Sequence, residues 1–127
     1  MSKISVIVCE PGEKARYADI KNDLKTMQDI VDGYIEMIMP FNNDICIICN
    51  EEGKTNSLPL NRTIYDENEN IIDIIAGTFV LCWAPIDSEE FESLPEKVAE
   101  EMFNKFYEPE EFFYTGDEFD YSMDFDL

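Results

Sequence analysis

Histidine is absent from this chain of 127 residues, and positive charge is scarce: nine lysines and arginines stand against 29 aspartates and glutamates. The lack of histidine excludes Ser-His and Cys-His nucleophilic dyads and removes the most common general base of enzymes. The lack of positive charge disfavours direct binding to nucleic acid or to an anionic membrane, because lysine and arginine are the side chains that bind phosphates. The net charge of −20 instead favours contact with a basic surface.

Neither a long apolar run nor a leader segment is present. The apolar stretches are far shorter than a membrane span, and Met1 is not followed by a charged and then apolar segment. We therefore expect a soluble, cytoplasmic protein with no membrane partner. Hydrophobic residues still make up 45% of the chain, with nine Phe, six Tyr and one Trp. This content is sufficient for one globular domain with a core, followed by an extension.

The four cysteines lie in apolar, strand-like runs, whereas a small disulfide scaffold would place them in loops. The spacing of Cys46 and Cys49 is also found in zinc and redox sites. However, the chain has no histidine and no second such pair, and strand alternation directs the two thiols to opposite faces. We therefore predict buried, reduced core thiols in preference to a metal or redox site.

Apolar periodicity predicts the order β, β, α, β, β, loop, β, followed by a second helix. Strands are expected at residues 4–9, 16–20, 34–39, 45–49 and 78–83, with the polar residues 66–70 in the loop. The first helix begins at Asn22 or Asp23, and Gly33 is well placed to end it in the left-handed conformation. We predict an α+β fold: a mostly antiparallel sheet of about five strands with a helix on one face, a second C-terminal helix and an acidic tail.

The second helix is predicted over residues 94–107. Ser93 and Glu96 have the spacing of a capping box, with Pro95 in the first turn. An apolar stripe packs this helix on the rest of the domain and leaves acids on the opposite face; the stripe is Val98, Ala99, Met102, Phe103 and Phe106, and the acids are Glu96, Glu100 and Glu101. The chain thus divides into an α+β domain (1–86), a C-terminal amphipathic helix packed on it (87–107) and an acidic aromatic tail (108–127).

Polar motifs that resemble functional sites have plainer structural explanations. Asp66, Asn68 and Asn70 occupy the first, third and fifth positions of a calcium-binding loop, but Ile71 stands where its glycine is needed, so we predict a polar turn. Arg62, one of only two arginines, is expected to form a structural ion pair with an acid rather than to recognise a ligand. Carboxylate pairs are too numerous to single out a catalytic pair, so we predict no enzymatic activity and no cofactor.

Negative charge is concentrated at the C-terminal end. Residues 87–127 contain fifteen acids and two lysines, and the last twenty-one residues contain eight acids, seven aromatics and no base. Carboxylates steer approach to a basic surface, while aromatic rings such as Phe112, Phe113 and Tyr114 anchor in its pockets. The candidate partner-binding residues are Glu96, Glu100, Glu101, Glu108, Glu110, Glu111, Phe112, Phe113, Tyr114, Asp117, Glu118, Asp120, Asp124 and Asp126.

Five short segments, in this order, resemble a small family carried by phages and conjugative elements and catalogued as domain-of-unknown-function family 3846. They are EPG at 10–12, VDGYIE at 31–36, CNEEGK at 49–54, LPLNR at 58–62 and DIIAGTF at 73–79. The resemblance covers residues 4–84 and brings no catalytic or binding residues with it. It implies a mobile-genetic-element setting, where small acidic accessory proteins often counter host restriction or CRISPR systems.

Charge and resemblance together lead to one main functional hypothesis. The protein would be a phage-type inhibitor, an acidic mimic of DNA or RNA that occupies the basic groove of a host nucleic-acid-targeting defence protein in the bacterial cytoplasm. A restriction enzyme or a CRISPR effector is the expected target class, and the inhibitor itself would be a monomer or small homo-oligomer. Two alternatives stay open: an accessory domain that binds a small ligand, and a peptide-presenting module whose tail folds on a partner.

Overall fold

The computed structural model describes residues 2–113, which form seven strands and two helices. In chain order the elements are β1 (Lys3–Cys9), β2 (Arg16–Lys21), α1 (Leu24–Val31), β3 (Ile35–Ile38), β4 (Ile45–Asn50), β5 (Leu60–Tyr65), β6 (Ile71–Ala76), β7 (Phe79–Trp83) and α2 (Glu96–Phe106). Neither helix in this part of the chain has the length and apolar character that crossing a bilayer requires.

A five-stranded antiparallel sheet with the order β2-β1-β7-β4-β3 forms the centre of the fold. One face is covered by α1, whose Met27 and Val31 pack on the sheet. The other face is covered by α2 and by the β5–β6 hairpin. Because both faces are covered, β4 and β7 are apolar at almost every position rather than at alternate ones. The predicted α+β fold is confirmed.

The β5–β6 hairpin was not expected from the sequence. Three successive polar residues of β5, Asn61, Arg62 and Thr63, are all buried, and they hide the apolar alternation that identifies a strand. Residues 66–70 form its turn, where Asp66 Oδ1 accepts hydrogen bonds from the backbone N–H groups of Asn68 (2.8 Å) and Asn70 (2.9 Å). The polar turn was predicted correctly, but the two strands that it joins were missed.

The end of α1 and the start of α2 differ from the sequence prediction. Asp32, rather than Gly33, adopts the left-handed conformation after α1 (φ 63°, ψ 47°). Gly33 is needed for another reason: a Cβ there would lie 2.6 Å from Nδ2 of Asn50. The capping box proposed for α2 is also wrong, because Pro95 is the N-cap residue and makes no side-chain cap bond. Ser93 Oγ instead accepts a hydrogen bond from the backbone N–H of Ser5 (2.8 Å), which ties the start of α2 to β1.

Candidate partner-binding surface

Arg62 fixes the C-terminal end of α2 to the hairpin. Its side chain is only 2% exposed. Nε (3.1 Å) and Nη2 (2.9 Å) donate to the carbonyl of Phe106, Nη2 also donates to the carbonyl of Glu13 (2.8 Å), and Nη1 donates to Oδ1 of Asn61 (2.7 Å). A cation at a helix C-terminus also interacts favourably with the helix dipole. The predicted structural role is therefore correct, but the predicted ion pair is wrong, since the acceptors are carbonyl oxygens.

The segment after α2 is attached to the edge of β5 that β6 leaves unpaired. The backbone N–H of Thr63 donates to Oε1 of Glu110 (2.8 Å), and the Thr63 hydroxyl donates to Oε2 (2.5 Å). Hydrogen bonds to a carboxylate are stronger than bonds between neutral groups. One of the candidate partner-binding carboxylates is thus used within the protein, and it fixes where the acidic tail leaves the domain.

Aromatic contacts hold the apolar stripe of α2 against the sheet. Phe103 stacks on Tyr17 of β2, with ring centroids 4.4 Å apart and planes 8° from parallel, and it also contacts Tyr107. Phe106 packs edge-on against Phe79 of β7, at 5.8 Å. The stripe predicted from the sequence does face the core. Because the helix cannot rotate without breaking these contacts, the orientation of its acidic face is fixed.

The acids of α2 point outward, but they share their surface with lysines. Glu96, Glu100 and Glu101 are exposed, as are Lys97 and Lys105, so this helix has a net charge of only −1. A denser acidic region precedes the helix in the connection from β7. Exposed Asp87, Glu89, Glu90 and Glu92 lie there within six residues and without a base. These four acids were left out of the candidate set, although their run without a base was visible in the sequence.

The remaining candidate residues fall into two groups. Glu108 and Glu111 are exposed, Phe112 is half-buried and Phe113 is 71% exposed at the end of the described chain. Tyr114, Asp117, Glu118, Asp120, Asp124 and Asp126 lie outside the described residues. From Asp87 to Phe113 the chain carries ten acids and two lysines, and among hydrogen bonds between described residues Glu110 is the only one of these acids whose carboxylate takes part.

Few acids are neutralised within the protein. Over residues 2–113 three ion pairs form: Arg16–Glu10 at 3.1 Å, Lys25–Asp29 at 3.4 Å and Lys54–Asp73 at 2.7 Å. Two other lysines lie over aromatic rings, Lys14 over Tyr107 and Lys105 over Phe41. The negative charge is therefore displayed to solvent rather than consumed in internal pairs.

The cysteines do not form a reactive site. All four are free and buried, as predicted. Cys46 packs in the core layer beneath α1, and Cys49 packs in the layer on the opposite face of the sheet. Burial raises the pKa of Cys9 and of Cys49 to about 12, so both thiols stay protonated at neutral pH. Within residues 2–113, no group of three cysteine or carboxylate side chains is placed to hold a metal ion.

The five segments that carry the family resemblance meet at one end of the sheet. Polar side chains of these segments donate hydrogen bonds to backbone carbonyls of neighbouring elements there. Asn50 Nδ2 donates to the carbonyls of Val31 (3.1 Å) and Asp32 (3.0 Å), which end α1. Asn61 Nδ2 donates to the carbonyls of Cys9 (2.9 Å) and Gly77 (2.8 Å), which join β1 to the start of β7. These motifs therefore specify how the elements connect.

Comparison with known proteins identifies a family match but no characterised relative. Residues 3–107 match the model of the family described as Domain of unknown function (DUF3846). The match extends beyond the five segments and includes α2, while the tail from Glu108 lies outside it. No curated protein and no solved structure matches the chain.

Proposed function

The chain belongs to the DUF3846 family, whose description states no activity, and we propose that this protein is a binding protein that blocks the basic, nucleic-acid-binding surface of another protein. The observation that carries the proposal is the uncompensated acidity between Asp87 and Phe113. This part of the chain has a net charge of −8, and within residues 2–113 nine of its ten carboxylates make no hydrogen bond.

The charge density of the described surface can be compared with that of DNA. Duplex DNA presents one negative charge about every 1.7 Å along its axis. The three acids of α2 span about 7.5 Å, because a helix rises by about 1.5 Å per residue, and two lysines partly offset them. The helix alone therefore has a lower density of negative charge along its axis than duplex DNA. The acids of residues 87–92 and of the tail have to contribute if the protein acts as a DNA or RNA mimic.

Charge and the setting that the resemblance implies support one class of target. A net charge of −20 attracts a basic partner over long range, and this attraction weakens when salt screens it. The resemblance implies a mobile-genetic-element setting, and for that setting we propose a host defence protein, such as a restriction enzyme or a CRISPR effector in the bacterial cytoplasm, as the target.

One alternative has a specific observation in its favour. Glu110 is held by Thr63, whereas Phe113, three residues further on, is 71% exposed. A fixed exit point with an exposed ring beside it suits a module that presents its tail to a partner groove.

Capture from a bacterial lysate tests the proposal. The tagged full-length protein is incubated at about 50 mM and about 500 mM salt, with and without duplex DNA. We expect it to retain nucleic-acid-binding proteins that high salt and DNA both release. Retention that neither salt nor DNA reduces would contradict the proposal.

Two matched variants locate the binding surface. The first replaces Asp87 with asparagine and Glu89, Glu90 and Glu92 with glutamine; the second replaces Glu51, Glu52, Glu67 and Glu69 with glutamine and so removes the same charge elsewhere. The first variant should no longer capture the nucleic-acid-binding proteins, and the second should still capture them.

A truncated chain tests the tail. A chain that stops after Phe113 keeps the Glu110 contact, so loss of capture by this chain would assign binding to the tail.

A further inference from the structure

A groove of about 480 Å³ lies at the end of the sheet opposite the family segments. It is bounded by the start of α1, the end of β3 and the connection that follows β7. Four large apolar side chains face it and are exposed: Leu24 (57%), Met37 (52%), Met39 (44%) and Ile86 (98%). Apolar side chains that cluster in this way on a soluble protein mark interaction surfaces.

The groove exists because α1 is short. Ile35, Met37 and Met39 alternate along the chain and therefore point to the same face of the sheet, the face that α1 covers. Ile35 packs in the core beneath the helix. The helix has only eight residues, about 12 Å, and its first residue, Leu24, lies at the groove, so the helix does not extend over the two methionines.

The rim of the groove is acidic. Asp23, Glu89 and Glu90 line it, and no lysine or arginine among residues 2–113 does, although Lys21 and Lys25 lie near enough to act on the charge of Asp23. Hydrogen bonds from Thr26 lower the pKa of Asp23, which therefore stays ionised at neutral pH. Lys25, which follows Leu24, pairs with Asp29 one turn further along α1. A ligand in the groove thus meets an apolar floor and carboxylates at its edge.

We propose that this groove binds a basic amphipathic segment of a partner protein, with bulky apolar residues on one side and lysine or arginine beside them. Charge selects this occupant. A second copy of the chain would bring a net charge of −20 to an acidic rim, and the chain's own last twenty-one residues contain eight acids and no base. Methionine side chains adapt to differently shaped apolar groups, so the groove suits a sequence-tolerant contact. This inference stands whether or not the partner binds nucleic acid.

Methyl NMR of the full-length protein, labelled at its six methionines, tests the groove directly. The probe is a synthetic amphipathic helix of leucine and lysine; its controls are a scrambled peptide of the same composition and poly-lysine. We expect saturable shifts of the Met37 and Met39 methyl signals with the amphipathic peptide only, while buried Met27 stays unchanged. No saturable shift, or equal shifts with poly-lysine, would overturn the inference. If neither the amphipathic peptide nor poly-lysine shifts these methyl signals while poly-lysine still binds in a salt-sensitive way, the groove is refuted and the proposed function is left standing.

Two sets of variants test the apolar residues and the acids of the groove independently. Replacing Leu24 and Ile86 with serine should weaken peptide binding about tenfold or more, whereas Ile71→Ser, an exposed isoleucine outside the groove, should have no effect. The pair Glu89→Gln and Glu90→Gln should weaken binding about fivefold, and clearly more than the equally charged control Glu67→Gln with Glu69→Gln. Equal effects of each variant and its control would contradict the assignment.

Discussion

Replacing Arg62 with alanine should lower the free energy of unfolding by about 3–5 kcal/mol. The guanidinium is buried and donates to the carbonyls of Phe106 and Glu13 and to the side-chain oxygen of Asn61. Each buried acceptor that loses its donor costs about 1–3 kcal/mol, and water that enters the vacated space recovers part of this. Since a domain of this size is stable by about 5–15 kcal/mol, the loss is a large share of the total.

Arg16→Ala is the matched control, because it removes the same side chain and the same charge from the surface. Arg16 forms an ion pair with Glu10 at 3.1 Å, and both side chains are about half exposed. Such pairs contribute less than about 1 kcal/mol. In urea unfolding followed by circular dichroism, the midpoint should fall by about 2 M for Arg62→Ala and by less than about 0.5 M for Arg16→Ala.

The pH dependence of the Arg62→Ala penalty distinguishes carbonyl acceptors from a carboxylate partner. Carbonyl oxygens do not titrate, so the penalty should stay constant from pH 7 down to about pH 3. The contribution of an ion pair would instead be lost as the pH falls below the unfolded carboxyl pKa of about 4 towards the lower pKa of the paired acid. A penalty that falls with pH, or one no larger than that of Arg16→Ala, would refute the structural role argued for Arg62.

Three further outcomes are expected. Glu110→Ala should abolish protection of the Thr63 amide in hydrogen exchange, whereas Glu108→Ala should leave it intact; equal protection in both variants would show that the Glu110 contact does not hold the segment. Thr26 lowers the pKa of folded Asp23, so the contribution of this carboxylate is present above the unfolded aspartate pKa of about 3.9 and is lost as pH falls through the lower folded value. The stability difference between Asp23→Ala and the original protein should therefore shrink on acidification, and a difference that persists would contradict this. Finally, a thiol reagent at about pH 8 should modify the four cysteines only after unfolding; fast labelling of the native protein would refute their burial.

The central strands could be predicted because they are unbroken runs of β-branched, cysteine and other apolar residues. Residues 45–49 and 79–82, for example, are apolar at each position because helices or the hairpin cover both faces of the sheet. The β5–β6 hairpin could not be predicted in this way. In β5 a buried arginine, Arg62, takes a position that an apolar side chain usually fills, and the backbone carbonyls that it binds lie 44 to 52 residues away along the chain.

The candidate partner-binding surface was only partly predictable. Composition located the acids of α2 and of the segment after it, but Lys97 and Lys105 on the same helix reduce its charge, and Glu110 bonds to Thr63. The apolar groove was not foreseen, because Leu24 and Met37 fit ordinary helix and strand patterns, and these patterns predict that both side chains are buried in the core. Their exposure depends on where α1 begins relative to β3, which is a tertiary relation that local periodicity does not contain.

Competition with nucleic acid is the most direct test of the central claim, which is that this protein occupies the nucleic-acid-binding surface of a partner protein. The affinity for a captured partner is measured by fluorescence anisotropy at increasing concentrations of duplex DNA. The proposal predicts that the apparent Kd rises in proportion to the DNA concentration, because the two ligands exclude each other. A Kd that stays constant while a complex of protein, partner and DNA forms would contradict it.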